Sequence, residues 1–175
     1  MKKIIAIAIV TVLCGVNLFA QEISVNAGAT YVDNNIHPII GVSFEMPFGN
    51  VFSAGVTASG LMRAYTPEME SAGKKYFSMR AAAQAKVRML YIGNGNLSVL
   101  LGAGAEYSKE DCSNGEYIYR NGFTPYGACG LEYKFYFKND NAISVAATAD
   151  LRSNSLPNPG LRVGGTLTVA YSFAL

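Results

Sequence analysis

The sequence predicts an all-β fold: an eight-stranded antiparallel up-and-down transmembrane β-barrel, preceded by a cleavable signal peptide. Three observations predict it. The first is residues 161–175, where Leu161, Val163, Gly165, Leu167, Val169, Tyr171, Phe173 and Leu175 alternate with Arg162, Gly164, Thr166, Thr168, Ala170, Ser172 and Ala174. A strand sends alternate side chains to opposite faces, so one face here is greasy and the other small and polar. The run exceeds the usual soluble strand of about 5–6 residues and suits a tilted membrane strand of roughly 9–11 residues with some overhang. The second observation is that this alternation recurs along the chain between turn signals. The third is the start: Lys2 and Lys3, the apolar stretch Ile4–Leu13, and Ala20 before Gln21. A basic start, a short apolar middle and a small residue at the cut describe a secretory signal peptide, with cleavage expected after Ala20. The apolar core is short of the roughly 20 residues that a transmembrane helix needs. Leu13 precedes Cys14 where a lipoprotein signal requires a small residue.

Each strand follows from its pattern. The first, Glu22–Val32, sets Ile23, Val25, Ala27, Ala29 and Tyr31 against Ser24, Asn26, Gly28 and Thr30. The second, Pro38–Met46, sets Ile40, Val42, Phe44 and Met46 against Gly41, Ser43 and Glu45, and the third, Val51–Ala64, sets Phe52, Ala54, Val56, Ala58 and Met62 against Ser53, Gly55, Thr57, Ser59 and Arg63. The fourth, Tyr76–Tyr91, is rich in Ala and helix-prone by propensity. Period two decides it, because Arg80, Lys86 and Arg88 share one parity, whereas a helix would spread them around its circumference. The fifth, Leu97–Tyr107, the sixth, Gly122–Phe137, and the seventh, Ala142–Arg152, alternate likewise, and residues 161–175 form the eighth. The connections 47–50, 92–96 and 138–141 are short and rich in Gly, Asn and Asp, as hairpin turns require. The connections 65–75, 108–121 and 153–160 are longer, and only 33–37 is short among them. Tight turns at one end and long loops at the other are the layout of a membrane barrel with its turns in the periplasm.

Removing residues 1–20 leaves 155 of the 175 residues, enough for one barrel domain over 21–175. Lys2 and Lys3 leave with the signal, so 14 basic residues become 12 against 12 acidic ones. A neutral domain gives no reason to expect nucleic acid. Cys112 and Cys129 remain, fewer than a disulfide-stapled secreted domain carries. Cys112 is expected in an outer loop and Cys129 about 20 Å down a strand, too far apart to bridge.

Alternation does not say which face is inside. A soluble lipocalin-like carrier buries the apolar face, and a membrane barrel exposes it. Aromatic residues near strand ends favour the membrane: Tyr31, Phe77, Tyr107 and Phe123 towards one rim, and Phe44, Phe52, Tyr133, Phe135 and Phe173 towards the other. The chain thus resembles the small eight-stranded outer-membrane β-barrels, the porin-like proteins of the Gram-negative envelope. The resemblance covers residues 21–175 and is architectural. Its sharpest local match is to the terminal assembly signal of such proteins, here Arg162, Gly164, Leu167, Val169, Tyr171 and Phe173, with Leu175 rather than Phe at the end. It implies the cell outer membrane as location. It also implies periplasmic chaperones and the barrel-insertion machinery as partners during assembly, outer-membrane lipids as surroundings, and a possible surface ligand at the outer loops.

No catalytic, cofactor or metal site is expected. His37, the single histidine, is followed by Ile39 where the deacylases among such barrels place a serine, and no phosphate-cradling loop, dinucleotide fingerprint or metal spacing is present. Gly102, Gly104, Gly127 and Gly130 lie within strands, where close packing explains them better than phosphate binding. The informative residues are the charges on the polar parity: Glu45, Arg63, Arg80, Lys86, Arg88, Glu106, Glu132, Lys134, Asp150, Arg152 and Arg162. An eight-stranded barrel is just filled by side chains, and confined charge is costly unless paired. The expectation is a lumen plugged by ion pairs in a non-enzymatic structural or surface-binding protein; a narrow, weakly anion-preferring pore is the alternative. A loop centred near Leu156 sets Asp150 opposite Arg162, and a turn centred near Asn94 sets Arg80 diagonal to Glu106. Glu132 meets Lys86 and Arg88 at matching depth, leaving Arg63 and Arg152 over towards the outer rim.

Overall fold

In a computed structural model that describes residues 21–32, 35–62, 74–112, 120–154 and 160–175, every strand pairs antiparallel with its sequence neighbours and the last closes on the first. The strands are β1 Glu22–Val32, β2 Asn35–Phe48, β3 Phe52–Met62, β4 Lys74–Ile92, β5 Gly95–Cys112, β6 Arg120–Tyr136, β7 Ala142–Asn154 and β8 Gly160–Ala174. Residues 1–20, with the expected signal peptide, and Arg63 lie outside the described residues.

The ladder fixes the barrel's geometry. From Ser98 the paired residues run through Glu132, Ala146, Thr168, Gly28, Ile39, Leu61 and Ser78. They return to β5 at Ser108, ten residues further along the strand than Ser98. This stagger tilts the strands to roughly 35–45° from the barrel axis and sets a bore that side chains can fill.

Burial follows parity. Leu101 is 55% exposed, Val145 45% and Val169 52%, all on the outer face. Ser98, Glu106, Glu132, Lys134, Ser144, Asp150 and Ser172 are buried inside. A soluble carrier would show the reverse, so the inside-out alternative does not describe this molecule. The interior also holds Ile39, Leu61 and Leu100, all buried. Small residues let the walls approach: a Cβ at Gly104 would lie 2.0 Å from the Ala81 carbonyl oxygen, and one at Gly130 would lie 2.1 Å from that of Ala147. Close packing thus accounts for Gly104 and Gly130 but not for Gly102 and Gly127, where the nearest atoms to an added Cβ lie at 3.7 and 3.9 Å.

Several boundaries differ from the sequence reading. β2 begins at Asn35, so His37 lies in a strand rather than a loop and faces Thr30. β4 and β5 pair as far as Lys74 and Cys112, which takes Cys112 out of the loop to a strand end. Pairing with a neighbour continues wherever backbone groups can find partners, a constraint that side-chain alternation does not report. Cys129 is free and exposed on the outer face.

Candidate functional site

Two ionic networks occupy the lumen. The first lies towards the outer end and is built on β4, β5 and β7. Arg80 Nε donates to Glu106 Oε2 at 2.7 Å, and Ser78 Oγ donates to Glu106 Oε1 at 2.7 Å. Arg152 Nη1 stands 3.3 Å from Glu106 Oε2. Asp150 Oδ2 takes Arg80 Nη1 at 3.5 Å and Arg152 Nη2 at 3.7 Å. Thr166 also donates to Asp150, as do Tyr126 at 3.0 Å and Thr148 at 3.1 Å. The Arg80 guanidinium sits 5.0 Å from the centre of the Tyr126 ring, a favourable cation–π placement. Arg80, Glu106, Asp150 and Arg152 are all buried, so each carboxylate must be satisfied by donors, as it is here.

The second network lies towards the short turns. Lys86 Nζ reaches Glu45 Oε2 at 2.6 Å and Glu132 Oε2 at 2.9 Å. Lys134 Nζ reaches Glu22 Oε2 at 2.6 Å and Glu45 Oε2 at 3.1 Å. Ser53 donates to the other oxygen of Glu45 at 2.6 Å. Along β4, Ala82 and Gln84 separate the two networks on the inner face, and among the described residues no ion pair joins them.

The expected pairings need four corrections. Asp150 faces Gly164, not Arg162; the register places Arg162 opposite Arg152, because the last outer connection is centred one residue later than its composition suggests. Arg80 faces Glu106 directly, because the turn is centred between Gly93 and Asn94 rather than on Asn94 and a bulge between Arg88 and Leu90 shifts the β4–β5 register by one residue more. Glu132 meets Lys86 alone. Arg88 lies at the mouth on the short-turn side, where it donates to the Asn50 carbonyl at 2.6 Å and to the Tyr91 hydroxyl at 3.0 Å. The bulge causes this as well: it places Tyr91 opposite Asn96, on the same face as Arg88. Arg152 is not left over but belongs to the outer network.

Glu22 was absent from the expected charges, although its parity matches Ser24 and marks it as inward. Thr30 and Thr166, which hydrogen-bond to each other at 2.8 Å, come together only through the β1–β8 closure. Among the described residues, no group of His, Cys, Asp and Glu could hold a metal ion.

No family model matches the chain, and no curated protein matches it. Solved structures do. Neisserial surface protein A is similar over 89% of this chain and 96% of its own, with a TM-score of 0.65 and 8% identity. Ail, the attachment invasion locus protein of Yersinia pestis, is similar over 88% of this chain and 97% of its own, at 0.52 and 15%. The N-terminal β-barrel domain of Pseudomonas aeruginosa OprF is similar over 89% of this chain and all of its own, at 0.53 and 15%. The fold is that of small outer-membrane β-barrels.

Proposed function

We propose that this chain is an integral protein of the bacterial outer membrane, exported by residues 1–20, with a lumen closed by ion pairs and a structural or surface-binding role rather than an enzymatic one. The observation that carries this reading is the reversal of the soluble pattern. Ion pairs and hydroxyls fill the inside, while Leu101, Leu131, Val145, Leu167 and Val169 face outward. A closed barrel with an apolar exterior satisfies its backbone in a membrane and leaves no strand edge open to lipid. On this reading the alternating end of β8, from Arg162 and Gly164 through Leu167, Val169, Tyr171 and Phe173, is what the insertion machinery reads, after chaperones have carried the chain across the periplasm. A surface ligand, if bound, meets the outer loops.

Conductance tests the plug. Refolded protein in a planar bilayer should pass no steady ohmic current, because both networks sit across the bore. A reproducible current rising with bath salt would favour the pore alternative. Heat-modifiable gel migration after detergent extraction tests the membrane barrel separately.

A further inference from the structure

The seam that closes the barrel starts at Gln21. This residue directly precedes β1 and is half-buried. Its carbonyl oxygen accepts the Leu175 N–H at 2.9 Å, and the next rung pairs Glu22 with Ala174. One step along the chain, Glu22 Oε2 takes Lys134 Nζ at 2.6 Å. Lys134 is 3% exposed. A chain cut after Ala20 therefore carries a partner of a buried lysine as its second residue.

A free amine at that start exposes the plug to erosion. An aminopeptidase that took two residues would remove Glu22. Lys134 would then depend on Glu45, which also serves Lys86. A buried charge that loses a partner is left under-compensated. Gln21 carries the chemistry to prevent this. Its own α-nitrogen and its side-chain carboxamide lie on one short segment, so attack is effectively unimolecular and closes a five-membered ring. α-Amines titrate at roughly 7.7–8.0, which leaves part of the population as the uncharged nucleophile at neutral pH. The ring uses the α-nitrogen and Cδ. The α-carbonyl that holds Leu175 stays in place, so the seam does not have to open.

We propose that Gln21 is a modification site: once cleavage after Ala20 frees its amine, it cyclises to pyroglutamate, and the lactam shields the Glu22–Lys134 ion pair from exopeptidases. The α-nitrogen forms a bond to Cδ, the bond from Cδ to the side-chain amide nitrogen breaks, and ammonia leaves with a proton from the amine. Nothing is oxidised or reduced, and no co-reactant is consumed. The proposal rests on the export reading, which supplies the free amine.

The full chain, expressed in a Gram-negative host and extracted from its outer membrane, tests this. It is denatured and digested with chymotrypsin at mildly acidic pH, where α-amines stay protonated and do not cyclise during handling. The N-terminal fragment, ending at Tyr31, should be lighter by one ammonia and blocked to Edman degradation. A fragment that starts at Gln21 with full mass and a free amine overturns the proposal. A fragment with another start, or one that retains residues 1–20, overturns the export reading instead. A second arm treats folded wild type and Gln21→Ala with an aminopeptidase, and heat-modifiable migration shows that both are folded. The variant should lose residues 21 and 22, and the wild type should lose none. Equal trimming of the two, or of neither, overturns the shielding role.

Discussion

Glu106 is 2% exposed, with Arg80, Ser78 and Arg152 around its two oxygens. Removing one partner of a buried pair leaves the others charged, and the usual cost is about 3–5 kcal/mol. Glu106→Leu should therefore destabilise by about that amount in urea unfolding, and the double change Glu106→Leu with Arg80→Leu should cost less than the single one. A double variant weaker than Glu106→Leu alone would mean that the pair is not the unit of stability. The glycines make a second contrast. Gly130→Ala drives a methyl group to 2.1 Å from a carbonyl oxygen, whereas at Gly102 the nearest atom is 3.7 Å away. The first should cost about 1–3 kcal/mol and the second should stay within about 0.5 kcal/mol. Equal losses at both sites would contradict the packing assigned to this wall.

The strands carry two tests. Leu101 and Ser98 lie three residues apart on β5 and face opposite ways, one exposed and one buried. Arginine at Leu101 meets the hydrocarbon and should cost about 2–4 kcal/mol near the midplane. The same loss is expected at Val145 and Val169, and full refolding yield of all three arginine variants in lipid vesicles would remove the lipid-facing assignment. The connections carry the other test. The short turn after Phe48 and the turn at residues 93–94 share one end of the barrel with residues 137–141. Trypsin added to intact cells should cut near Lys74, at the outer end of β4, if anywhere, and spare Lys138 in a turn at the other end. Cleavage at Lys138 alone would invert the topology.

For the whole molecule, closure joins features that are distant in sequence. Ser24 and Ser172 hydrogen-bond at 2.8 Å across the β1–β8 seam, and Thr30 meets Thr166 further along the same seam. The two ionic networks stack along the axis, each drawing on strands from more than one side of the barrel. A neutralising change in one network should therefore leave a second barrier to ions. Lys86→Ala with Glu132→Ala should open no steady conductance, while the same change combined with Arg80→Ala and Glu106→Ala should. Current from the first variant alone would show that the network towards the short turns is the whole plug.

The sequence by itself determined the number of strands, the face of each and the inward parity of charges such as Arg80, Lys86, Glu106, Glu132, Lys134, Asp150 and Arg152, because alternation at period two is a local property that membrane and lumen act on residue by residue. Parity also marks Glu22, two residues before the buried Ser24, as inward. The tertiary structure alone decided which charge meets which. Register depends on backbone pairing, and the turn centre together with a bulge after Arg88 made Arg80 a direct rather than a diagonal partner of Glu106. Partners such as Lys86 and Glu132, or Lys134 and Glu22, face each other across the bore. Their meeting depends on the ten-residue stagger by which the sheet closes, a quantity that belongs to all eight strands together and to no segment of the sequence.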